Sequence, residues 1–186
     1  MAKKTISGIF KLIKDSNVLE LASCFELKPE SLDEIGQGHR AVLDRTPLIY
    51  AIQIHNYDVA HRILDFGPDL NYLMPVAVQG CYSALTYALF HCGWDKSVFD
   101  RIVGDDKLAI DDFGVMGQNA LILATKHWKT FGDHHDDILR QLLKNGADPN
   151  ARSVDGGMLK DRSSAIEIAQ TCPDFPPALL ALMQET

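Results

Sequence analysis

A six-residue pattern that returns along this chain constrains its folding more than any other feature. It reads Thr46-Pro47-Leu48-Ile49-Tyr50-Ala51, then Ser83-Ala84-Leu85-Thr86-Tyr87-Ala88. It returns as Asn119-Ala120-Leu121-Ile122-Leu123-Ala124 and as Ser164-Ala165-Ile166-Glu167-Ile168-Ala169. The starts lie 37, 36 and 45 residues apart, and a fainter copy begins 39 residues upstream at Ser7, with Ile9 and Leu12 in apolar slots. Self-similarity at a period of roughly 20–50 residues marks a stack of repeated units rather than one central core.

Each position of the pattern has a physical reason. Thr, Ser or Asn stands first, and such side chains accept hydrogen bonds from the free N–H groups of a first helical turn. Pro47 follows at the first helical position, where a missing N–H costs nothing. The third residue is Leu or Ile and the sixth is Ala, small enough for a neighbouring helix to approach closely. A second amphipathic helix follows each copy. Val59, Ala60, Ile63 and Leu64 share one face of a helix opening near Tyr57, and Ile138, Leu139, Leu142 and Leu143 recur in the same way. Gly146 is placed to take the left-handed conformation that closes a helix, and Pro149 cannot continue one. Gly67-Pro68-Asp69-Leu70-Asn71 repeats that stop.

The unit is therefore a short helix, a turn, a second helix, a glycine stop and a polar loop. Thr46-Pro47-Leu48 with Ala51, and Leu142-Leu143-x-x-Gly146-Ala147-Asp148-x-Asn150, resemble the helix-opening and loop-closing motifs of the ankyrin-repeat family, with Ile49 where the family usually has His. The resemblance covers about residues 5–186. It implies an all-α solenoid of stacked helix-turn-helix units with long inserted loops, a single domain over 1–186 with repeats near 5–38, 39–76, 77–112, 113–157 and 158–186. The family period is about 33 residues, so the excess length must sit in insertions, expected at Tyr72–Gln79, Trp128–Asp133 and Ser153–Arg162.

Composition sets further bounds. Hydrophobic residues make up 46% and charged residues 23% of 186, enough apolar surface for a folded protein. The net charge of −7 repels phosphate backbones, so no nucleic-acid partner is expected. No run approaches the ~18 apolar residues of a membrane span. Cys24, Cys81, Cys92 and Cys172 are scattered without metal or redox spacing, which suggests a reducing compartment and small buried apolar roles. Lys11 and Lys14 interrupt what would be the apolar stretch of a signal peptide. A cytoplasmic protein is the expectation, or one delivered into a host cell if it is an effector.

A search for chemistry finds one dense cluster, Asp133-His134-His135-Asp136-Asp137 with His127 nearby. It could supply ligands to a metal-dependent hydrolase, the alternative reading. Neighbours on a helix point about 100° apart, however, so they cannot all face one ion, and Asp136 and Asp137 suit the first turn of a helix. His91-Cys92 lacks the spacing of an oriented nucleophile and base, and no phosphate loop or nucleophile elbow occurs. The expectation is no enzyme, no cofactor and no metal.

The resemblance implies instead a groove formed by loop tips and the exposed parts of the first helices. Carried over position by position, it assigns Arg45, Tyr82 and Gln118 to loop bases. Gln53, Ile54, Phe90, His91, Lys126 and His127 fall at the ends of first helices, with Trp94 and Trp128 close by. Aromatic residues in such places are typical of binding hot spots. The expected activity is non-enzymatic binding of a partner protein, as an immunity or antitoxin protein, a microbial effector or an adaptor. The chain is expected to be a monomer when free. Asp105-Asp106 and Asp111-Asp112 are expected in a solvated loop that could steer a partner with a basic surface.

Overall fold

The computed structural model describes residues 8–37, 43–76, 80–91, 96–114, 117–154 and 162–186. Five helix pairs follow one another along these residues. They are α1 (Ile9–Lys14) with α2 (Val18–Leu27), α3 (Pro47–Gln53) with α4 (Tyr57–Asp65), and α5 (Ala84–His91) with α6 (Lys96–Val103). Then come α7 (Ala120–Lys126) with α8 (His135–Lys144), and α9 (Ala165–Thr171) with α10 (Pro177–Glu185). The first helices pack in series, α1 on α3, α3 on α5, α5 on α7 and α7 on α9. The second helices form a parallel series from α2 through α4, α6 and α8 to α10. The result is a two-layered solenoid.

The repeated hexamer explains the first layer. Thr46, Asn119 and Ser164 accept the amides of Ile49, Ile122 and Glu167 through their side chains. Ser83 accepts the amide of Thr86 at 3.2 Å, and the Thr86 hydroxyl accepts the Ser83 amide at 2.9 Å. Glu167 reaches back to Ser164 in the same reciprocal manner. Leu48, Leu85 and Leu121 are buried, as are Ala51, Ala88, Ala124 and Ala169 at the close approach of neighbouring helices. In the last copy Ile166 and Ile168 are only half-buried.

Some expectations need correction. α1 opens one residue later than the faint copy implies, with Gly8 as its cap at φ 58°; Ser7 lies outside the described residues. The first insertion is not irregular: β1 (Met74–Val76) and β2 (Gly80–Tyr82) pair as an antiparallel hairpin with Met74 opposite Tyr82. The second insertion winds into a 3₁₀ turn over Trp128–His134. Cys24 and Cys172 are half-buried free thiols rather than core residues, and Cys92 lies outside the described residues.

Polar loops stitch successive units together. Asp33 Oδ1 accepts the Asp69 amide at 2.8 Å. The Asn71 side chain donates to Lys107 O at 3.0 Å and accepts the Ala109 amide at 2.8 Å. The Asp111 carboxylate accepts the Asp148 amide at 3.1 Å and the Asn119 side chain at 3.1 Å. Asp111 is thus a fastening between loops and not part of a merely solvated pair. Burial pushes its carboxyl above the usual aspartate range, against the lowering effect of the amide it accepts.

Candidate partner-binding face

The geometry of the face begins at the end of α5. Tyr87 and Phe90 lie three residues apart and so share one side of that helix. Tyr82, held in register by the hairpin, meets both: its ring centre lies 5.6 Å from Tyr87 and 6.4 Å from Phe90, each nearly perpendicular. Phe90 in turn lies 5.9 Å from the ring of His127, which caps α7 in the next unit. These edge-to-face contacts form a continuous aromatic row across two repeats. Its tip is accessible, with Phe90 37% exposed and His127 exposed. Burial raises the phenol pKa of both Tyr82 and Tyr87, so each remains a neutral hydroxyl at physiological pH.

The other sequence-predicted positions divide. Arg45 donates to Leu43 O at 2.9 Å and hydrogen-bonds the Tyr87 hydroxyl, which ties the loop before α3 to the aromatic row. Lys126 is half-buried beside His127. Gln53 and Ile54 end α3 and are half-buried, and the Gln53 carbonyl oxygen is enclosed without a hydrogen-bond partner. His91 ends α5. Trp94 lies outside the described residues.

Gln118 departs from expectation. It is only 4% exposed, because Gly117 at φ 70° turns the loop inward and Gly114 N donates to Gln118 O. It cannot meet a partner without displacing its own loop. Trp128 also turns away from the row. Its ring packs 5.2 Å from His135 and 5.9 Å from Phe175, fastening the 3₁₀ turn to α8 and to the last unit. Sequence reasoning missed Leu43, Leu73 and Val154, apolar residues exposed in the loops between units. An isolated apolar residue among polar neighbours was the signal available.

The histidine and aspartate cluster is spread apart. Asp136 and Asp137 occupy the first turn of α8, and His135 Nε2 pairs with Asp136 against the Trp128 ring. His127 faces Phe90 instead. Among the described residues no three His, Cys, Asp or Glu side chains converge to hold a metal ion. A separate cleft of about 560 Å³ lies at the N-terminal end, between α1 and α2, where Lys11 and Lys28 mix with Asp15, Glu20 and Glu34. No described helix is long and apolar enough to cross a membrane.

The family model for the ankyrin repeat matches residues 116–154, the span that holds α7, α8 and their closing turn. The same helix-turn-helix unit recurs on either side of it. Residues 116–154 are thus an ankyrin repeat, and the described residues as a whole have the fold of an all-α ankyrin solenoid. Among solved structures, 98% of it aligns with the whole of one chain in the complex of Bd0816, a predatory endopeptidase from Bdellovibrio bacteriovorus, with the immunity protein Bd3460. The TM-score is 0.56 at 15% identity. It also aligns over 98% of its length with 97% of EF0377, an ankyrin repeat protein, at TM-score 0.45 and 15% identity. No curated protein matches it in sequence.

Proposed function

We propose that this ankyrin solenoid is a recognition module that binds a partner protein on its aromatic row, without chemistry of its own. The observation that carries the reading is the continuous contact of Tyr82, Phe90 and His127 across two units, with Phe90 accessible at its tip. Large rings held in a preformed arrangement lose little entropy on binding and supply most of the energy of many interfaces. Arg45 and the hairpin fix that arrangement in advance. Within this class we favour a neutralising role of the immunity type. Its support is the likeness of fold to a chain from a complex of a peptidase with an immunity protein.

Replacement of Tyr82 and Phe90 together by Ala should weaken binding of the partner by about 2 kcal/mol or more, with helical circular dichroism unchanged. Calorimetric titration with the partner isolated from the source organism measures this. Unchanged affinity would remove the row from the interface. If the role is neutralising, equimolar wild-type protein should also abolish the partner's activity, and the double variant should not.

A further inference from the structure

On α2 the sequence sets Leu19, Ser23 and Leu27 at intervals of four, and residues four apart lie one above the next along a helix. The opposite face serves the fold. Leu21, Ala22 and Phe25 are buried there, and the Phe25 ring lies 5.3 Å from that of Phe66 at the end of α4. The stripe itself is open. Leu19 and Leu27 are almost completely exposed, the most exposed large apolar residues among those described. Ser23 between them is exposed too, and its hydroxyl donates to Leu19 O at 3.1 Å, so its polarity is turned back on its own helix. A single exposed leucine is ordinary, but two in line with a small residue between them make a seam.

The order of the stripe says which cover fits, because it reads the same in both directions about Ser23. A second copy of α2 laid antiparallel, with the two-fold axis beside Ser23, sets Leu19 against Leu27 of that copy and Leu27 against its Leu19. The small serines then meet at the crossing, where bulk would hold the helices apart. Charge agrees with this arrangement. Glu20 and Lys28 stand near opposite ends of the stripe and line one cleft, so they lie on the same flank of it. Reversing one helix brings Glu20 to Lys28 of the second copy, twice over by symmetry. Asn17 donates to Glu20 at 2.7 Å, and a carboxylate keeps acceptor sites for a further donor. A parallel copy would set like charges at one level instead.

We propose that this chain pairs with a second copy of itself through Leu19, Ser23 and Leu27, as an antiparallel two-fold dimer closed by ion pairs of Glu20 with Lys28. Such a contact uses the same patch on both copies, so it stops at two. It is also small. One pair of ten-residue helices buries less than about 1,200 Å², so the dimer forms and parts with concentration. The pairing does not depend on the aromatic row: α2 is the second helix of the first unit, and the row lies on the first helices of the third and fourth. It replaces the expectation of a free monomer.

Sedimentation of the full chain over a wide range of concentration tests this pairing. The mass should rise from one chain towards two. Leu19→Glu with Leu27→Glu should hold it at one chain throughout, with wild-type circular dichroism and melting temperature, because neither side chain is buried. Glu20→Lys or Lys28→Glu alone sets like charges together and should weaken the dimer at least about tenfold. The two together exchange the pair and should restore it. A mass of one chain at every concentration for the wild type would overturn the pairing. A leucine variant that then melts several degrees lower would assign the stripe to this chain's own fold, and one that melts unchanged would leave it to a different protein. A dimer that survives the leucine variant forms on another face and overturns the site. Single charge variants that pair as tightly as wild type, or a double exchange that restores nothing, would overturn the antiparallel register.

Discussion

At the scale of single residues, Asp111 shows how one carboxylate can be both fastening and liability. It gathers the Asp148 amide and the Asn119 side chain, which joins one closing turn to the next. Burial disfavours its charge and raises its pKa despite those hydrogen bonds. The folded state therefore holds this proton at a pH where the unfolded chain has released it. Stability from this group is present below the ordinary aspartate value of about 3.9. It declines as pH rises through the raised value. Asp65 runs the other way. Burial alone would raise its pKa, but the hydrogen bonds and charges of Arg101 and Arg62 outweigh that and lower it. Its contribution is present above the ordinary value and is lost as pH falls through the lowered one. Asp111→Asn keeps an acceptor without the charge, so urea midpoints across a pH series should lose the decline that starts just above the ordinary aspartate value. Identical profiles for wild type and variant would refute this role. Asp111→Ala removes the acceptor as well and should cost about 1 kcal/mol at neutral pH.

At the scale of elements, the four caps of the first layer do similar work in unequal surroundings. Thr46→Ala removes one acceptor from α3 and should cost about 1 kcal/mol. Asn119→Ala should cost more, about 2 kcal/mol, because Asn119 is fully buried and its amide also donates to Asp111. Chemical denaturation of the two variants orders them, and an equal or reversed order would show that the link to Asp111 carries nothing. These caps were legible in the sequence because they obey local rules repeated four times. The site was legible in part, for reasons visible at particular residues. Arg45, Tyr82 and Gln118 hold the same position in their units, and nothing local separates them. Only the turn at Gly117 buries Gln118, and only the pairing of Met74 with Tyr82 brings that ring to Phe90. Trp128 reads as a surface aromatic until Phe175, from the following unit, is found against it. Contacts between units decide each case, and no motif within a unit encodes them.

At the scale of the whole molecule, the solenoid has no central core, and its substantial contacts run between neighbouring units. Stability in such a stack is close to a sum of unit and interface contributions. The two ends are not alike. At the N-terminal end Leu19 and Leu27 are 84% and 82% exposed on α2, while at the other end α10 buries Leu179 and Met183 against α8 and α9. Leu121 in α7 and Leu179 in α10 are both completely buried, and truncating either to Ala should remove about 2–5 kcal/mol of local packing. The consequences should differ with position. Leu121 touches a unit with neighbours on both sides, so Leu121→Ala should lower amide protection in α5, α7 and α9 together and shift a single unfolding transition. Leu179 serves one interface, so Leu179→Ala should release α10 and the outer part of α9 first, while α3 and α5 keep their protection. Hydrogen exchange read by mass spectrometry resolves the helices separately. Uniform loss of protection in both variants would mean that the five units unfold as one block and that the nearest-neighbour description fails for this chain.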